Sequence, residues 1–316
     1  MNVQTLVPDR TMAAVGLTVT YAAMVGFSDN FVRLVADETG LSQFHFTRSL
    51  MALAIIGLVA PFLGLRLRAV RPWAVMLRAV LQGTAIFIYF GALAFLPVAL
   101  AAAGLFTAPI FVLLISRFAF GEAIGPVRIL AVALGFLGVV LVLGPAALAG
   151  ATLAAVLPVA AAVVYALSNI VTRKLCAQET PETLLAAFFV VLGLYGVIGM
   201  AVFALWPLPV PAGSDGFVLR GAVWPDARYL GLMALQAFLS AVGVGMCTRA
   251  YQLADTGRVS VIEYMVLPSS AFWGWILWDE SLGWRAWAGI ALIVLAGAMI
   301  ALRAHEAARH GEAATG

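Results

Sequence analysis

Charge is scarce in this chain. Of 316 residues, 18 are Lys or Arg and 15 are Asp or Glu, together 10%. A water-soluble domain averages about 25% charged residues. So little charge excludes a soluble fold, and a formal net charge of +3 offers no basic surface for nucleic acid. Cysteine is nearly absent. Cys176 and Cys247 cannot build a disulfide framework, and both read as small packing residues near span ends. The three histidines, His45, His305 and His310, have no metal-ligand spacing. No metal and no cofactor is expected. No stretch reads G-x-x-x-x-G-K-[ST], Gly-x-Ser-x-Gly or His-Glu-x-x-His, which argues against an ATP-driven pump and against an enzyme. The opening MNVQTLVPDR lacks the short apolar core and small-residue site of a cleavable signal peptide, so a retained first span is expected from Met12.

What is present is apolar. Hydrophobic residues make up 64% of the chain, against about 45–50% in soluble domains. The solvent for such a surface is lipid. A bilayer span needs about 20 apolar residues, and ten candidates can be read: 12–35, 44–65, 72–95, 97–118, 126–146, 150–173, 183–206, 228–250, 257–278 and 284–303. The runs do not alternate, so helices are expected rather than a barrel. The connectors are short, with turns at Phe95–Pro97 and at Gly144–Pro145.

The chain is built twice. Ala92, Glu122 and Gly125 answer to Ala250, Glu280 and Gly283, each 158 positions on (250−92, 280−122, 283−125). Pro109 answers to Pro268. Tyr21 with Ser28-Asp29-Asn30 in span 1 is echoed by Tyr165 with Ser168-Asn169 in span 6. Leu81-Gln82 in span 3 is echoed by Leu235-Gln236 in span 8. Counting Lys and Arg by side of the membrane gives twelve with the termini and even-numbered connectors and four opposite. The positive-inside rule then puts both termini in the cytoplasm. Five spans per half is an odd number, so the second half enters the membrane the other way up. The expected fold is an all-α polytopic membrane protein of ten transmembrane helices in two inverted five-helix repeats, 12–146 and 150–303, with a cytoplasmic tail at 304–316.

The aromatic-to-Ser-Asn stretches of spans 1 and 6, the proline-centred spans 4 and 9, and the acidic ends Phe120-Gly121-Glu122 and Trp278-Asp279-Glu280 carry a family resemblance. With Val261-Ile262-Glu263-Tyr264, they make the sequence similar to the EamA group of the drug/metabolite transporter superfamily over nearly its whole length. The resemblance implies ten helices, two EamA repeats and a central cavity lined chiefly by spans 1, 3, 4, 6, 8 and 9. It also implies a carrier, since the group includes exporters of amino acids and metabolites and importers of vitamins and nucleoside-like compounds. Glu263 departs from the commoner uncharged residue at its position.

Glu263 is the sharpest site candidate. An acid about six residues into a span costs roughly 2.5–3.5 kcal/mol on insertion scales, and something must offset it. It either binds a cation or proton from the cavity, or pairs with Arg78 at matching depth in span 3. Asp29, Arg33 and Arg48 read as an outer interfacial cluster or an outer gate, and His45 as a wet interface residue. Asn30, Gln82, Asn169 and Gln236 need hydrogen-bond partners in lipid, either cargo or neighbouring helices. Tyr89, Phe106, Tyr165 and Tyr264 are candidate cavity aromatics. Pro109 and Pro268 should free a backbone carbonyl one turn earlier and kink spans 4 and 9. Trp273, Trp275, Trp278, Trp284 and Trp287 suggest an interfacial belt. Glu122 and Glu280 read as loop-fixing acids, and Gly135 and Gly138 as sites of close helix approach.

The expected function is a secondary transporter of a small organic metabolite: an amino acid, an amine, or an aromatic or nucleoside-like compound. It would work in the inner membrane by alternating access, driven by exchange or by protons titrating Glu263, as a monomer or homodimer. A channel, or a non-transporting sensor on a transporter fold, is the alternative.

Overall fold

The computed structural model describes residues 10–92, 102, 104–143, 156–279 and 283–313, with backbone alone at 33, 214, 215 and 303–313. Among the described residues all regular structure is helical. The α-helices are α1 (Thr11–Asp29), α2 (Val32–Ala36), α3 (Leu41–Leu63), α4 (Pro72–Ala92), α5 (Ala108–Phe120), α6 (Pro126–Leu143), α7 (Val156–Lys174), α8 (Pro181–Leu205), α9 (Ala227–Leu253), α10 (Thr256–Ile262), α11 (Val266–Trp278) and α12 (Trp284–Ala313). Lipid offers no partners to a bare helix end, and several starts are capped from within. Thr180 Oγ1 accepts from Thr183 N, Asp226 from Tyr229 N at 2.7 Å, and Asp255 from Gly257 N at 2.9 Å. Helix α3 stops at Gly64, whose φ of 62° suits a residue without Cβ.

Among the described residues, seven helices are long and apolar enough to cross a bilayer: α1, α3, α4, α7, α8, α9 and the Trp284–Leu302 part of α12. Of the other three expected spans, 97–118 and 126–146 each run partly outside the described residues. Helix α5, 13 residues long, covers the end of the former, with 102, 104 and 105 also helical before it. Pro126–Val142 is also a shorter apolar helix. Span 257–278 is split into α10 and α11 by a 3₁₀ turn at Glu263–Met265. The first span does not run to residue 35. It ends at Asp29 because the carbonyls of its last turn are taken. Ser28 O accepts from Gln236 Nε2 at 2.5 Å, and Gly26 O accepts from Asn30 Nδ2 at 2.7 Å. Helix α12 runs ten residues past the expected span end at 303. The turns at Phe95–Pro97 and Gly144–Pro145, Glu280 and the Arg33 side chain lie outside the described residues.

The prolines do not kink a running helix. Pro109 is the second residue of α5 and Pro268 the third of α11. A first-turn N–H has no intrahelical partner in any case. The break lies just before each proline, at Phe106–Thr107 and at Glu263–Met265.

Packing repeats across the two halves. Helix α1 packs on α9 as α4 packs on α7; α1 packs on α11 as α5 packs on α7; α3 meets α8, and α6 meets α12. Exchanging each helix for its counterpart in the other half leaves this set of pairs unchanged, as a two-fold relation requires. Gly138 and Gly289 make the α6–α12 crossing close: a Cβ on Gly138 would stand 2.7 Å from Gly289 O. Gly135 lies under the Tyr264 ring. Trp275, Trp284 and Trp287 are exposed as a belt requires, but Trp273 and Trp278 turn inward onto Phe27 and Phe31.

Candidate functional site

Between the paired helices lies a cavity of about 630 Å³, lined from α1, α4, α7, α9 and the broken α10–α11 segment among others. That size suits a drug-sized ligand. Aromatic rings form much of its wall: Tyr21, Tyr89, Phe90, Phe106, Tyr165, Phe188, Phe189 and Tyr251.

Glu263 stands on the 3₁₀ turn, 7% exposed. Its carboxylate accepts from Tyr165 Oη at 2.7 Å and from Tyr251 Oη, and Cys247 Sγ lies 3.3 Å from Oε1. Three neutral donors therefore surround the acid, and among the described residues it has no cationic partner. Arg78 does not pair with it. Its guanidinium donates to Thr172 Oγ1 at 3.2 Å, Leu184 O at 3.1 Å and Thr248 Oγ1 at 2.9 Å. The reason is geometric: three oxygens of α7, α8 and α9 already meet the planar fork. Acid and base share one cavity but are satisfied separately.

Asp29 and Arg48 face the same cavity near the end of α1, within electrostatic reach of each other. Arg48 Nη2 lies 3.2 Å from His45 Nδ1, and its guanidinium carbon sits 4.9 Å from the centre of the Phe44 ring. His45 is fully buried, packed on Phe44, Phe87 and Phe90. The expected wet interface residue is therefore wrong; a ring among rings is shielded from water.

Of the remaining candidates, Asn30, Gln82, Tyr89, Phe106, Tyr165, Asn169 and Pro109 line the cavity. Gln236, Tyr264 and Pro268 are not on its lining. Gln236 instead ties α9 to α1 through Ser28 O. Tyr264 packs into a core with Val132, Ile262 and Ile293, its ring centre 6.1 Å from that of Phe106. Pro268 opens α11 while its neighbours Val266, Leu267 and Ser270 reach the cavity.

Both EamA halves are visible to a family comparison. The model of the EamA-like transporter family matches residues 12–144 and 152–302. The chain belongs to that family. This EamA protein is 30% identical over 257 residues to a riboflavin transporter of Rhizobium johnstonii, covering 81% of this chain and 77% of the relative. A riboflavin transporter of Vibrio cholerae is 28% identical, with 71% and 70% covered. The pseudopaline exporter CntI of Pseudomonas aeruginosa is 25% identical, with 88% and 93% covered. A solved crystal structure superposes with a TM-score of 0.71 at 18% identity, covering 92% of this chain and 99% of the other, which shows a shared fold.

Sequence reasoning missed several residues around the EamA protein's acid. Cys247 is no mere packing residue, since it touches Glu263. Tyr251, one turn further on α9, supplies the second hydroxyl. The i, i+4 spacing of Cys247 and Tyr251 put them on one face, but nothing in the sequence aimed that face at span 9. Cys176, by contrast, is buried against Ala74 O. Glu122 does fix a loop, taking Lys174 Nζ at 2.6 Å.

Proposed function

We propose that this EamA protein is a secondary transporter that carries a flat, uncharged aromatic metabolite across the cytoplasmic membrane by alternating access. The observation that carries this reading is the aromatic-walled cavity between the two halves. Its lining holds two carboxyls, Asp29 and Glu263, against two guanidiniums, Arg48 and Arg78. Balanced charges of this kind, with Glu263 and Arg78 satisfied within the protein, favour cargo without net charge. Stacking surfaces favour planar rings. The two relatives named as riboflavin transporters support the same choice, and riboflavin is the first compound to test.

Ten spans in two inverted sets, with both termini in the cytoplasm, complete the reading. Alternating access needs ties between the halves at each end of the bundle, and they are present. Beside the start of α3, Gln43 exchanges hydrogen bonds with the backbone of Val223 at 2.7 and 2.8 Å, and Arg220 donates to Ala36 O at 2.8 Å. Beyond the other end of α3, Glu179 accepts from Val70 N at 2.9 Å, and Thr180 and Thr183 donate to Arg66 O. Rocking would open one set while the other holds. Glu263, beside the break in span 9, is the proton carrier in this reading.

Ligand binding raises apparent stability by mass action. A thermal-shift screen of the purified protein against flavins, purines, amino acids and polyamines should single out flavins or purines. A shift confined to polyamines or aliphatic amino acids contradicts the cargo class.

A further inference from the structure

Two amides that line the cavity hold polar atoms without a hydrogen-bond partner among the described residues. Gln82 and Gln236 hold matched places in spans 3 and 8, and Asn30 and Asn169 hold matched places in spans 1 and 6. Gln236 Nε2 donates to Ser28 O at 2.5 Å, and Asn30 Nδ2 donates to Gly26 O and to Ser270 O at 3.2 Å. The bonds from Gln236 to Ser28 and from Asn30 to Ser270 join helices, and the bond to Gly26 closes the end of α1. Gln82 and Asn169 are 6% and 3% exposed and line the cavity, yet among the described residues Gln82 Oε1 and Asn169 Nδ2 have no hydrogen-bond partner. A buried amide oxygen asks for a donor, and a buried amide nitrogen asks for an acceptor.

The two amides share one neighbourhood. Gln82 stands one turn beyond Arg78 on α4. Asn169 follows Ser168 on α7, and Ser168 Oγ donates to Arg78 O at 3.4 Å. The α4–α7 contact is the counterpart of the α1–α9 contact across which Gln236 Nε2 reaches Ser28 O. Among the described residues Gln236 Oε1 is unpartnered like Gln82 Oε1, but Gln236 lies off the cavity lining and Gln82 lies on it. Charged groups do not fill the gap, because Arg78 is engaged by Thr172, Leu184 and Thr248.

We propose that Gln82 and Asn169 form the polar recognition pair for cargo that carries an N–H beside a C=O. The class is a planar heterocycle with a lactam or imide edge, such as a flavin or a pyrimidine base. Its N–H would meet the Gln82 carbonyl oxygen, and its carbonyl would meet the Asn169 amide. The stacking walls would hold the rings, and the amide pair would set which edge faces α4 and α7. A site built to hydrogen-bond a substrate group rejects strongly the analogue that lacks it. This inference rests on the transport reading above and names the cargo more finely.

The test uses the full-length protein in proteoliposomes, with riboflavin, uridine, and their N3-methyl derivatives as competitors for exchange of labelled solute. N3-methylation should weaken competition at least about tenfold in the wild-type protein. Gln82→Leu and Asn169→Leu should each weaken the parent compound and close most of that gap, with thermal unfolding reporting that the variants remain folded. Equal competition by parent and methylated compounds overturns the inference without any variant being needed. So does exchange of an amine or aliphatic amino acid that ignores both substitutions, and that outcome leaves the carrier reading standing. Absence of exchange with every solute overturns the carrier reading as well.

Discussion

At the scale of single residues, Glu263 and Arg78 divide what first looks like one interaction. A buried ion pair would have explained both charges at once. Instead the acid is held by Tyr165, Tyr251 and Cys247, and the base by three oxygens. If they are independent, a double-mutant cycle on thermal stability with Arg78→Gln and Glu263→Gln should be additive within about 0.5 kcal/mol. A larger coupling would restore the ion pair. The acid's cage also bears on energy coupling. Among the described residues the acid meets three neutral donors and no competing cation. Glu263→Gln should therefore abolish uptake driven by an imposed pH gradient while exchange at equal pH continues. Unchanged pH dependence removes Glu263 from coupling. Polar residues in apolar spans were easy to pick out, because each one costs free energy in lipid. Their partners were not legible: Tyr251 and Cys247 meet the acid only because α9 and the α10–α11 break cross in space.

Among the elements, apolar run length located the seven long helices, although α1 stops at Asp29 short of the expected 35 and α12 runs on to Ala313 past the expected 303. The breaks escaped notice because they arise from tertiary hydrogen bonds and not from local propensity. Span 1 ends at Asp29 where Gln236, more than two hundred residues on, takes Ser28 O. The prolines pointed to the right places for a different reason. They start helices after a break, and the break in span 9 puts Glu263 on a 3₁₀ turn, a conformation often found at hinges. Glycine was legible too, since Gly138 does admit a close helix. Gly138→Leu would drive a side chain against Gly289 O and Ile293 Cγ1, each 2.7 Å from the first added carbon. The expected cost is about 1–3 kcal/mol, read as a lower unfolding midpoint in detergent. An unchanged midpoint would mean that the α6–α12 crossing is looser than its geometry indicates.

For the molecule as a whole, duplication is the fact from which most else follows. It was visible in matched prolines, acids and amides, and it reappears as a set of helix pairs that survives exchange of the halves. What the sequence could not show is where the symmetry is broken. Asn30 Nδ2 is taken up by backbone carbonyls while the matched Asn169 Nδ2 is unpartnered among the described residues, and Gln82 lines the cavity where Gln236 does not. The ties at the two ends of α3 join one half to the other, so that opening an end costs a few hydrogen bonds while the packed helices remain intact. In the proposed reading, a protein arranged in this way moves solute by changing shape around it. Counterflow in proteoliposomes tests that most directly. With labelled riboflavin inside, unlabelled riboflavin added outside should accelerate its exit, because a loaded carrier returns faster than an empty one. Exit at a rate indifferent to the outer solute would mark a channel, and no exit with any solute would mark a sensor; either result contradicts the carrier account.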